Sequence, residues 1–82
     1  RRNSIPNLLN QIMYNIPNKV QLTSIENTSD RSISITAQSL DYDQLGYFKA
    51  VLQTKKILKN VISSSGVKSG DIITFTIEGE LP

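Results

Sequence analysis

The chain has 82 residues, of which 38% are hydrophobic and 20% charged, enough for one small globular domain and too few for two. Nine Lys and Arg against seven Asp and Glu leave a net charge of +2, too slight and too mixed to serve as an electrostatic footprint for nucleic acid. With no Cys and no His, disulfides, thiol nucleophiles, zinc-thiolate sites and imidazole-based triads are excluded.

A domain of this length buries only about 60–65% of the surface its unfolded chain exposes, which leaves little room for an enclosed active site. No run of about 18 apolar residues occurs, as a membrane-spanning helix requires. The start on Arg1-Arg2, without Met, leads us to expect a fragment of a longer protein.

Ile5, Leu8, Leu9, Ile12, Met13 and Ile16 recur at a 3.6-residue spacing and predict a first helix over about 5–15. Ser4 is placed to cap it, Pro6 suits its first turn and Pro17 ends it. In a domain this small the stripe is expected to pack into the core, the alternative being a partner-binding face.

Val20 and Leu22 then alternate, but Ile25 falls out of phase, so a first strand over 20–26 is expected to carry a bulge or a re-aimed end. Asn27-Thr28-Ser29-Asp30 supplies turn chemistry; it also matches a glycosylation sequon, a short and common pattern. Ile33, Ile35 and Ala37 alternate with Ser32, Ser34, Thr36 and Gln38 in the clearest half-buried strand of the chain.

Asp41 followed by Gln44 resembles a capping box, and Leu45, Phe48, Val51 and Leu52 trace a second helix over about 42–55. Lys55, Lys56 and Lys59 gather at its C-terminal end, where positive charge suits the helix dipole. Leu58, Val61 and Ile62 predict a short third strand that fades into Ser63-Ser64-Ser65-Gly66 and a turn through Gly70. Those glycines lack the Walker spacing and lead into a strand, not a helix. The fourth strand is strong: Ile73, Phe75 and Ile77 point one way, Thr74, Thr76 and Glu78 the other, with Ile72 starting the polar face.

The order αββαββ predicts an α+β two-layer sandwich spanning residues 1–82 as a single domain: a four-stranded antiparallel sheet with two helices on one face. That order is a circularly permuted ferredoxin-like arrangement in which the last strand sits centrally and strands one and three form the edges.

Across nearly its whole length the chain resembles the PilN-like fimbrial assembly proteins of type IV pilus machines, which are similar to GspL-type components of type II secretion. The resemblance rests on Ile16-Pro17 ending an amphipathic helix, Val20-x-Leu22-x-x-Ile25, Ile33-x-Ile35-x-Ala37, Leu45-x-x-Phe48-x-x-x-Leu52, Leu58-x-x-Val61 and Phe75-x-Ile77-x-Gly79. At Gln38-Ser39 family members often carry a Gly, and this chain departs from them. The resemblance implies a non-enzymatic structural component, anchored by an upstream transmembrane helix, with this domain on the extracytoplasmic face. It also implies homo- or heterodimerisation, with itself or with a PilO-like protein of similar fold, in the inner-membrane subcomplex. Candidate interface residues are Thr23 on strand one, Ile62 and Ser64 on strand three, and Tyr42 and Tyr47 on helix two. No catalytic, cofactor or metal site is expected.

Three other readings compete. Another membrane-anchored scaffold of the same fold, PilO-like or GspL/GspM-like, would look alike over these residues. An RNA-binding ferredoxin-like module needs aromatic platforms on its open sheet face, where Ser32, Ser34, Thr36, Thr74, Thr76 and Glu78 are expected instead. A small-molecule-binding or enzymatic domain has only Asp41, Asp43 and Asp71 to draw on, and these suit a helix cap and a strand-entry turn.

Overall fold

The computed structural model describes residues 5–64 and 66–82. The capping role expected of Ser4 falls outside them, as do the Ser65 position and the side chains of Ile5 and Pro6. Helix α1 spans Ile5–Tyr14. It closes in a tightened turn, with Asn15 N–H donating to Ile12 O (3.1 Å) and Ile16 N–H to Met13 O (3.4 Å), just before Pro17.

Strands β1 (Val20–Asn27) and β2 (Ser32–Ser39) pair antiparallel, with Val20 opposite Ser39 and Asn27 opposite Ile33. The register shifts between Leu22 and Ser24, so Thr23 is an extra residue in the strand. That bulge is what the out-of-phase Ile25 anticipates: it returns Ile25 to the helix-facing side, opposite Ile35. Thr23 Oγ1 donates to Thr36 O across the step (3.0 Å).

Helix α2 spans Tyr42–Thr54, and Asp41 caps it, its carboxylate accepting from Asp43 N–H (3.0 Å). The expected capping box is only half formed. Asp41 N–H donates to Ser39 Oγ (3.0 Å), not to Gln44, because Ser39 is buried against the helix entry and also donates to Lys19 O (2.6 Å). At the other end, Lys56 N–H donates to Gln53 O (3.1 Å) and Ile57 N–H to Leu52 O (3.0 Å), while Lys56 adopts φ 58°. This is a Schellman closure with Lys in the left-handed position usually filled by Gly.

The third strand, β3 (Lys59–Ser63), is followed by a strand absent from the sequence reading, β4 (Val67–Ser69). Both lie along the same side of β5 (Ile72–Glu80), β3 beside its C-terminal half and β4 beside its start. Between β4 and β5, Gly70 takes φ 61° as the first central residue of a two-residue hairpin turn. The sheet order is β1-β2-β5-β3 with β4 also on β5, so among the described residues the sheet has five strands where four were expected. The last strand lies in the middle, paired along its length with β2.

Leu45, Phe48 and Leu52 of α2 and Leu8 and Ile12 of α1 pack on Ile33, Ile35, Ala37, Phe75 and Ile77 of the two central strands. Each such side chain contributes about 1.5–3 kcal/mol on burial. Leu81 N–H donates to Arg31 O (2.7 Å), and the Arg31 guanidinium returns two bonds to Leu81 O and Pro82 O, tying the chain end to the β1–β2 turn.

Candidate interaction surface

The sheet has two faces of opposite character. The helix-facing side is apolar; the open side carries Ser32, Ser34, Thr36 and Gln38 in the middle, beside Thr74, Thr76 and Glu78. Gln38 Nε2 donates to Gln21 Oε1 across this face (3.1 Å). Among the described residues no aromatic side chain stands on it: Phe75 is in the core, and Tyr42 and Tyr47 are on α2.

The stripe on α1 is wider than the sheet beneath it covers. Leu8 and Ile12 are buried, whereas Leu9 is half-buried and Met13 is 57% exposed. Core packing therefore accounts for only part of the stripe. The uncovered part forms, with Ile25, Asn27 and Ile33, an apolar groove of ≈ 590 Å³ between α1 and β1. The bulge creates one wall of this groove, since without the extra Thr23 the Ile25 side chain would stand on the open face. Beside it runs β1, the end strand of the sheet, with no strand on its outer side among the described residues.

The residues singled out from the sequence do not form one patch. Thr23 sits on the β1 edge, while Ile62 and Ser64 belong to the opposite edge. Ile62 is 60% exposed and points to the open face beside Glu78. Ser64 is engaged internally: its N–H donates to Thr76 O (2.9 Å) and its Oγ accepts from Thr76 N–H (3.2 Å). Tyr42 is partly committed as well, its ring edge-on to Phe75 with centroids 6.1 Å apart. Tyr47 is exposed on α2.

Sequence reasoning favoured the core for Leu9 and Met13 and did not single out Leu40 or Val67 as surface residues, whereas Ile72, expected at the start of the polar face, is indeed exposed. Leu40 and Ile72 frame a hollow of ≈ 220 Å³ with Lys19, Gln21 and Gln38 at one end of the open face. At the other end, Thr28, Ser32, Asn60, Glu78 and Glu80 line a polar hollow of ≈ 200 Å³ in which Asn60 Nδ2 donates to Glu80 Oε1 (3.1 Å). Among the described residues no cluster of three or more acidic side chains is arranged to hold a metal ion.

The fold is thus a two-layer α+β domain whose described surface offers strand edges and apolar patches. The sequence profile of the fimbrial assembly protein (PilN) family matches residues 7–81, and the chain belongs to that family. Two solved structures share the fold. The periplasmic domain of EpsL from Vibrio parahaemolyticus superposes with a TM-score of 0.66 at 16% identity, covering 95% of this chain and 85% of that one. The periplasmic domain of XcpY gives 0.72 at 15% identity, covering 93% and 99%. No curated protein matches the sequence.

Proposed function

We propose that this domain is a non-enzymatic scaffold of a type IV pilus assembly machine. In this reading it works on the extracytoplasmic side of the membrane, held there by an upstream transmembrane helix. It pairs with itself or with a PilO-like domain of similar fold in the inner-membrane subcomplex. The observation that carries the reading is the family match over residues 7–81 together with a surface that offers a strand edge, without a neighbouring strand among the described residues, beside an apolar groove. The element order, with the last strand central, supports a circularly permuted ferredoxin-like fold.

A second reading, a type II secretion scaffold, is favoured by the likeness to the periplasmic domains of EpsL and XcpY. A direct test is sedimentation of the chain alone and of an equimolar mixture with the periplasmic domain of a PilO-like protein from the same cell. Self-association or a mixed complex is expected. A chain that stays monomeric at millimolar concentration and ignores the PilO-like domain refutes the pairing role.

A further inference from the structure

We infer that the outer edge of β1 pairs antiparallel with β1 of a second copy of this chain, on a two-fold axis at Leu22. This rests on the reading that the domain self-associates, and adds the surface, the register and the partner.

The faces along β1 determine the register. Val20, Leu22, Ile25 and Asn27 lie opposite helix-facing residues of β2, whereas Gln21, Ser24 and Glu26 lie opposite open-face residues. Lys19 continues the alternation onto the open face, where it lines the hollow with Gln21 and Gln38. The hydrogen-bonding groups alternate too. Thr28 N–H donates to Ser32 O, so Glu26 and Ser24 turn their amides toward β2, and Ile25 and Asn27 turn theirs outward.

With Thr23 set aside as the extra residue, an antiparallel copy centred on Leu22 brings Leu22 opposite Leu22 and Val20 opposite Ile25 on the helix side. On the open side Gln21 meets Ser24, and Lys19 meets Glu26. Every apolar residue meets an apolar one, and each cation meets an anion, twice, by symmetry. The bulge makes this match: Lys19 and Glu26 are seven positions apart, and in an unbulged strand they would stand on opposite faces.

A two-fold perpendicular to the sheet keeps both α1 helices on one face. Ile25 of each groove then meets Val20 of the second copy, so the open side of each groove faces the helix side of the partner's β1 and loses contact with water. Charge complementarity and the apolar seam both point to a second copy as the occupant.

The test is a charge swap. K19E and E26K singly each place like charges at two symmetric sites, and each is expected to raise the dimer dissociation constant about tenfold at low salt. The double variant K19E/E26K restores the parent value, which a merely structural role for either residue would not do. In parallel, Gln21→Cys/Ser24→Cys in this cysteine-free chain is expected to form an intermolecular disulfide, because the opposed pair is non-hydrogen-bonded with Cα atoms about 4.5 Å apart. Circular dichroism confirms that each variant is folded. A dimer indifferent to the single reversals and not cross-linked overturns the β1 register while leaving self-association intact. A chain monomeric at millimolar concentration overturns the second-copy occupant, and pairing with a PilO-like domain then stands or falls on the mixing experiment.

Discussion

Two alanine substitutions at glycine are expected to move stability in opposite directions. At Gly79, on the buried side of β5, a Cβ atom would lie 3.0 Å from Leu58 Cβ, 3.1 Å from Leu58 Cδ1 and 3.4 Å from Lys59 O. Leu58 is 1% exposed and has nowhere to retreat. Overpacking of this kind costs about 1–3 kcal/mol. The reduced freedom of the unfolded chain returns about 0.4–1 kcal/mol, so Gly79→Ala destabilises by about 1–2 kcal/mol. For a domain of this size that lowers Tm by about 5–15 °C.

Gly46 lies in α2, exposed, with no heavy atom within 4 Å of the new Cβ. There the intrinsic helix preference for Ala over Gly applies almost undiluted, and Gly46→Ala stabilises by about 0.8–1.0 kcal/mol. Urea and thermal unfolding of the two variants beside the parent, followed by circular dichroism, measure a gap of about 2–3 kcal/mol. Should Gly79→Ala prove neutral or stabilising while Gly46→Ala behaves as stated, the close approach of β5 to Leu58 is not a packing constraint and the reasoning fails.

Two further substitutions probe the ends of α2. Ser39→Ala removes a hydroxyl that donates to Lys19 O and accepts from Asp41 N–H; leaving both partly buried groups unpaired lowers stability by about 1–2 kcal/mol, visible as a lower urea midpoint at unchanged m. Lys56→Gly relieves the left-handed backbone at the Schellman closure. Set against the greater freedom of Gly in the unfolded chain, this raises stability by about 0.5 kcal/mol, and a fall in Tm counts against the strain.

How far the sequence is legible follows from what periodicity measures. The β2 strand and its neighbour β5 alternate cleanly because one face is buried and the other is not, and Ile25 betrays the bulge because an extra residue breaks that alternation. The short β4 leaves no such trace: Val67, Lys68 and Ser69 are all exposed, and the strand exists because β5 offers it a ladder past the end of β3.

The groove was illegible for a related reason. A helical stripe shows which residues share a side, but not how much of that side the sheet beneath is wide enough to cover, so Leu9 and Met13 read the same as Leu8 and Ile12. The unformed capping box has a tertiary cause, since Ser39 reaches Asp41 N–H before Gln44 can. Tyr42 opens α2 as expected, whereas Ser64, expected on strand three, lies one residue past its end; the bonds of Ser64 to Thr76 and the packing of Tyr42 on Phe75 join distant parts of the chain, which spacing alone does not reveal.

The central position of β5 governs when this domain can come into being. Among the described residues every strand but β1 rests on residues 72–80, so before they are available the sheet these residues can make is the β1–β2 hairpin, which is marginal alone in water. A chain that emerges from its N-terminal side therefore waits with its apolar helix stripes uncovered until the Ile72–Glu80 segment arrives and closes the sheet in one step. Truncation or delayed release within β5 leaves a sticky intermediate and not a smaller domain, which makes the arrival of that strand the moment that separates assembly from aggregation.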